Sequence, residues 1–171
     1  FKEIVELYDD GSFKLNQKYF DYQVGLKMTS NKFENLFDIK VKSKDEKFST
    51  KHMDIAASIQ KVTEKIVIRI LDSLIDEHKI KNICLAGGVV LNCVVNGKII
   101  KELDKVKSLW IQPASGDAGG ALGAALAYYY SLDKERIVIS EDSMKGSLLG
   151  CAFSNDYIES ELKKFGVQYT K

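Results

Sequence analysis

One stretch, residues 82–130, constrains the fold more than any other: NICLAGGVVLNCVVNGKIIKELDKVKSLWIQPASGDAGGALGAALAYYY. It reads twice as the same unit, a short apolar strand, a glycine-rich turn and a helix. In the first unit, residues 82–86 run into Gly87-Gly88 and a helix opens near Val89. In the second, residues 108–112 run into Pro113-Ala114-Ser115-Gly116-Asp117-Ala118-Gly119-Gly120, and a helix follows as far as Tyr130. Strand, turn and helix in tandem call for a parallel or mixed sheet. The run from Ile80 to Ala86 is nearly continuous in apolar residues, as expected of a strand buried on both faces. Open α/β sheets place their ligands at the carboxyl ends of such strands.

The turns suit an anion. Gly87, Gly88, Gly116, Gly119 and Gly120 have no Cβ to keep a ligand away from the backbone. Each following helix start offers unpaired N–H groups and the positive end of a dipole. A nucleotide or phosphate is the natural occupant, although tight packing alone also produces glycine-rich turns. Asp117 stands among the second group of glycines. It either caps the helix or serves as an oxygen ligand for a hard metal between carboxylate and phosphate; the spacing leaves both open.

LAGGVVLNCVVNGKI followed by WIQPASGDAGGALGAALA resembles the carbamoyltransferases of the nodulation and antibiotic-tailoring type. The flanks Asp10-Gly11-Ser12-Phe13, Lys51-His52-Met53-Asp54-Ile55-Ala56-Ala57-Ser58-Ile59-Gln60 and Lys145-Gly146-Ser147-Leu148-Leu149-Gly150 fall in the expected order. The resemblance implies an α/β fold, one lobe of an actin/Hsp70/sugar-kinase-like domain with a mixed sheet and flanking helices. That lobe is expected over residues 1–145, with a following C-terminal region from 146 to 171. It also implies transfer of a carbamoyl group from carbamoyl phosphate, through an ATP-derived carbamoyl-adenylate, to a hydroxyl of a sugar or other small acceptor. Carried over residue by residue, it places Gly87, Gly88, Val89 and Asn92 against the nucleotide, with Gly116, Gly119 and Gly120 completing the turns. Asp117 becomes a ligand of a divalent metal, iron or a similar ion. The family's remaining metal ligands are an HxxxH pair, and the two histidines here, His52 and His78, do not form one. The segment alone is therefore expected to be inactive and to depend on the rest of its own chain. Two alternatives share the glycine turns: a sugar-kinase-like ATPase lobe, and a non-catalytic nucleotide-binding or scaffold domain.

Composition narrows the partners. A net charge of +1 leaves no basic footprint for nucleic acid. No apolar run reaches the roughly 18 residues of a membrane span. The three cysteines, Cys84, Cys93 and Cys151, form no CxxC pair. Cys84 and Cys93 are expected as buried free thiols, and reduced thiols fit a cytoplasmic protein. The chain opens on Phe1 within a strand-like run, so a piece of a longer protein is expected.

The remaining elements follow from local pattern. Asp9-Asp10-Gly11 between two alternating runs predicts a hairpin; its aromatics Phe13, Tyr19, Phe20 and Tyr22 are read as packing. Phe33, Leu36 and Phe37 predict a short amphipathic turn, and residues 40–47 a solvated loop. Ser49 or Thr50 caps a long helix from Met53 to His78. Its apolar stripe is Ile55, Ile59, Val62, Ile66, Ile70 and Leu74, with Lys61, Glu64, Lys65, Arg69, Asp72 and Asp76 on the solvated faces. Asn92 is read as pointing at the contents of the Gly-Gly turn, or as a satisfied surface amide. The Ala/Gly-rich helix after Asp117 is expected in a crowded place. Ile137-Val138-Ile139 reads as strand-like, residues 147–150 as extended, and Ser154 as the cap of a helix that Gly166 stops, with a strand beginning after Val167.

Overall fold

The computed structural model describes residues 2–138 and 140–170, and the chain divides into two units, Phe1–Gly116 and Asp117–Lys171. Among the described residues the protein is mixed α/β, with two small two-stranded sheets and flanking helices.

The first unit opens with the expected hairpin. Strands β1 (Val5–Leu7) and β2 (Phe13–Leu15) pair antiparallel, Val5 opposite Leu15 and Leu7 opposite Phe13. Gly11 turns it with φ +84°, while Asp10 Oδ1 accepts from the Ser12 N–H and hydroxyl at 2.9 and 2.6 Å. Of the hairpin-region aromatics, Tyr19 is buried and donates to Glu3 Oε2 at 2.7 Å, whereas Phe13 and Tyr22 remain exposed. Helix α1 (Asn31–Phe37) realises the amphipathic turn, with the Phe33 ring tilted against both Phe20 and Phe37.

Helix α2 (Thr50–His78) starts where the capping residues place it. Ser49 is the N-cap, and its N–H donates to His52 Nδ1 at 3.2 Å, so a histidine fills the capping-box position usually held by Glu or Gln. Lys79, at φ +58°, closes the other end. The expected single stripe is corrected. Ile59 and Leu74 are exposed, and the residues that meet the core are Val67, Ile68 and Leu71. The reason is that α2 serves two neighbours. The hairpin tip lies against its backbone at Arg69 and Ile70, while a different face meets the next helix and sheet.

Strand β3 (Asn82–Leu85), helix α3 (Cys93–Glu102) and strand β4 (Ser108–Ile111) form the predicted crossover, with β3 and β4 parallel and Asn82, Ile83, Cys84 and Leu85 opposite Ser108, Leu109, Trp110 and Ile111. Leu71, Val95, Ile99 and Leu103 are the core, with Ile83, Leu85 and Leu109 packed against it. Ile99 is fully buried, so its truncation to Ala would cost about 2–5 kcal/mol. Burial of β3 on both faces does not hold. Its exposure alternates, and Cys84 and Trp110 face away from the core. Cys84, Cys93 and Cys151 are therefore exposed thiols, not buried ones. Cys93 falls on the side of α3 away from Val95 and Ile99.

The second unit contains helices α4 (Asp117–Ser131) and α5 (Asn155–Lys164). Ser154 caps α5 by accepting the Tyr157 N–H at 3.2 Å, and Gly166 follows it at φ +65°. Helix α4 was expected to be crowded, yet none of its residues is buried, and Tyr128 is 70% exposed. Small side chains permit close packing, but among the described residues they do not bring any residue of this helix into a buried position. Ile137 and Val138 lie outside any strand and Ile139 lies outside the described residues. A 3-10 turn at Lys145–Ser147 replaces the start of the extended run, and residues 167–170 form no strand.

Candidate functional site

The carboxyl ends of β3 and β4 bring the two turns of the first unit together. The Gln112 N–H extends the ladder to the Leu85 carbonyl at 3.1 Å, and the Gly87 N–H donates to the Ser115 carbonyl at 2.7 Å. Gly87 has φ 112° and ψ 161°, a region open essentially to glycine alone. Gly88 begins a 3-10 turn, Gly88–Leu91, where Val89 is exposed. A Cβ at Gly87 or Gly88 would meet nothing within 4 Å, whereas one at Gly116 would lie 3.5 Å from Leu91 Cδ1 and 3.8 Å from Gly88 Cα. Thus Gly116 touches the first turn, and Gly87-Gly88 leaves its outer side free. Ala114 is held at φ +52°, and Ser115 beside it is buried with a hydroxyl that meets no partner among the described residues.

The helix does not run on from Val89 as expected. The backbone breaks at Asn92, the N-cap of α3, whose Oδ1 accepts the Val95 N–H at 3.1 Å. Local hydrogen bonding by an Asn side chain competes with helical continuation, and here it restarts the helix. Asn92 is half-buried and its other amide atom is also engaged: Nδ2 donates to Gln60 Oε1 at 2.7 Å. Gln60 Nε2 in turn donates to Glu64 Oε1 at 3.0 Å and approaches Asn92 Oδ1 at 3.4 Å.

Glu64, read from the sequence as a solvated residue, is 3% exposed. Its Oε2 lies 2.7 Å from Lys98 Nζ and 3.5 Å from Lys61 Nζ, and Lys98 also reaches Glu102 at 3.3 Å. The bond to Lys98, followed by that from Gln60, lowers the Glu64 carboxyl to about 2, and Glu64 raises the Lys98 ammonium in return. A signal for this burial exists in the sequence. Glu64 shares a helix face with Val67, Ile68, Leu71 and Ile75, and Lys98 stands between the buried Val95 and Ile99 on α3.

Asp117, Gly119 and Gly120 belong to the second unit. Asp117 is the first residue of α4, exposed and placed where an acid favours the helix dipole. Among the described residues no group of three or more His, Cys, Asp or Glu side chains is arranged to hold a metal. Asp117 offers one oxygen donor, and a resident ion needs further donors. His52 serves as a helix cap, and His78 ends α2 beside Glu77 at 3.9 Å. A groove of about 890 Å³ lies away from these turns, between the hairpin and Lys65 and Arg69 of α2. None of the described helices is long and apolar enough to cross a membrane.

The family described as Carbamoyltransferase N-terminus matches residues 1–126. The uncharacterized protein sll1178 of Synechocystis is 49% identical over 166 residues, covering 96% of this chain and 27% of the relative. Nodulation protein NolNO of Sinorhizobium fredii is 36% identical over 126 residues, covering 74% of this chain and 17% of its own. Nodulation protein NolO of Bradyrhizobium diazoefficiens is 34% identical over 126 residues, covering 74% and 21%. The chain thus spans about a quarter or less of the length of these relatives, over a region that contains the hairpin, α2 and both glycine turns, and it belongs to the carbamoyltransferase N-terminus family.

Proposed function

We propose that this chain is part of an O-carbamoyltransferase that moves a carbamoyl group from carbamoyl phosphate, through an ATP-derived carbamoyl-adenylate, to a hydroxyl of a sugar or other small acceptor. Its segment serves as a lobe of an actin/Hsp70/sugar-kinase-like domain in a cytoplasmic enzyme, completed by the rest of the same protein. The observation that carries the nucleotide assignment is the joined pair of turns. Gly87 is tied to Ser115, and both Gly87 and Gly88 have open space where a side chain would stand. The unpartnered Ser115 hydroxyl supplies a further buried polar atom at that junction. Gly87, Gly88, Val89, Asn92 and Gly116 are the nucleotide-binding residues of the first unit, and Gly119 and Gly120 those of the second.

The chemistry available to these residues is binding and orientation. A phosphate can approach the backbone at Gly87 and Gly88 without a side chain in the way, at the start of a helical turn that offers unpaired N–H groups. Holding ATP and carbamoyl phosphate in register for in-line reaction lowers the barrier by removing their translational freedom. Asp117 is assigned to a divalent metal, iron or a similar ion, whose other donors come from outside these residues; when bound, that ion supplies positive charge against phosphate oxygens.

The test is ATP binding by calorimetry to the full-length protein and its Gly88→Val variant, followed by phosphate release from carbamoyl phosphate with a panel of hydroxyl acceptors. Loss of ATP binding in a folded Gly88→Val variant, with acceptor-dependent turnover by the parent, is the expected result. Equal ATP affinity in the two proteins would refute the site. ATP binding with no carbamoyl turnover would refute the reaction and favour a kinase-like or scaffold role.

A further inference from the structure

The Asn92 amide has its hydrogen-bond polarity fixed from both ends. On one side the Val95 N–H can only donate, so it selects Oδ1, at 3.1 Å. On the other side stands Glu64, an ionised carboxylate that can only accept. Its Oε1 takes Gln60 Nε2 at 3.0 Å, which turns Gln60 Oε1 toward Asn92 Nδ2 at 2.7 Å. Reversing either amide would set oxygen against oxygen or N–H against N–H. The charge that directs this chain is protected: Lys98 lies 2.7 Å and Lys61 3.5 Å from Glu64 Oε2, and Glu102 pairs with the far side of Lys98. A buried carboxylate without such partners would protonate, could then donate, and would no longer set the direction.

Asn92 Nδ2 carries two hydrogens, and Gln60 takes one. We infer that Glu64 and Gln60 are positioning residues that fix Asn92 as a hydrogen-bond donor, never an acceptor, toward the ligand of the Gly87-Gly88 turn. The ligand group that meets it is therefore an acceptor, such as a ribose oxygen or a ring nitrogen of a purine. The ligand half of this inference rests on the nucleotide reading proposed above; the relay from Glu64 to Asn92 does not.

Two measurements on the ¹⁵N-labelled full-length protein separate these halves. Without ligand, the Asn92 and Gln60 side-chain amides are expected to exchange slowly with solvent, and Glu64→Gln is expected to speed that exchange while the melting curve stays cooperative. Unchanged side-chain exchange in Glu64→Gln overturns the relay. On titration with ATP, the Asn92 resonance is expected to shift, and Glu64→Gln to weaken binding by up to about tenfold, the worth of one misoriented hydrogen bond. Wild-type ATP affinity in Glu64→Gln, beside lost affinity in Gly88→Val, overturns the positioning role. If the parent binds no ATP, the nucleotide reading fails, and the ligand-free exchange still decides the relay. Gln60→Met, which keeps the Glu64–Lys98 pair, provides the same readings should Glu64→Gln not fold.

Discussion

Gly11 and the Gly87-Gly88 pair are all turn glycines in the same unit, and their surroundings differ completely. A Cβ on Gly11 would stand 2.8 Å from Ile70 Cα and 2.9 Å from the Arg69 carbonyl oxygen, inside the backbone of α2. A Cβ on Gly87 or Gly88 would meet nothing within 4 Å. The first glycine is there because another part of the protein occupies its space. The second pair leaves a space that the described residues do not fill. Contact accounts for a structural glycine; an unfilled approach at the carboxyl end of a parallel strand is what a ligand turn requires. The supports differ as well. The hairpin tip rests on helix backbone, whereas the Gly87-Gly88 turn is followed by an amide relay that ends on a buried carboxylate paired with the half-buried Lys98.

The strongest way to break this contrast is Gly11→Ala. Overpacking against an immovable backbone, together with φ +84°, is expected to cost about 2–4 kcal/mol, read as a lower denaturation midpoint by chemical unfolding. A change under about 0.5 kcal/mol would mean that the tip is not packed on α2. Gly87→Ala comes next. No clash opposes it, but φ 112° with ψ 161° is expected to cost about 1–3 kcal/mol in the same assay.

The third prediction separates the supports by acid. The folded Glu64 carboxyl sits at about 2, below its ordinary 4.5. A depressed acid binds protons more readily when unfolded, so its contribution is present above about 4.5 and lost as pH falls toward 2. Over that window the Asn92 and Gln60 side-chain amides should lose protection, and Glu64→Gln should flatten this response. The smallest effect on stability is expected for Gly88→Ala. With open space and no positive φ, it should stay within about 0.5 kcal/mol of the parent, yet weaken ATP binding in calorimetry. A large loss of stability there would show that the turn is filled by protein.

The hairpin, the caps at Ser49 and Ser154, and the parallel crossover of residues 82–111 were legible because each depends on a few neighbouring residues. Asp-Gly selects a tight turn, Ser accepts an early helix N–H, and a strand–turn–helix–strand run of this length favours parallel pairing. The glycine turns were legible as a place, and the joining of Gly87 to Ser115 fits it. What local pattern missed were the choices between faces. Six apolar residues at helical spacing along α2 described a helix correctly and its buried side only in part, with Val62 buried but Ile59 and Leu74 exposed, because the hairpin and α3 divide that helix between them.

Sequence by itself determined the hairpin, the long helix and the parallel crossover, the order of the motifs and membership in the carbamoyltransferase family. Those properties reside in short stretches of chain, and tertiary contacts did not overturn them. Tertiary structure decided that Glu64 is buried against Lys98, that the Asn92 amide is engaged by Gln60, and that Cys84 and Trp110 face outward. The helix restart rests on a local cap bond to the Val95 N–H, but the side-chain network around it depends on partners distant in the chain. Lys98 comes to Glu64 across the α2–α3 contact, and Gln60 comes to Asn92 the same way. A charge reads as solvated until the opposite charge that stabilises it in the interior is brought alongside, and only the folded chain brings it there.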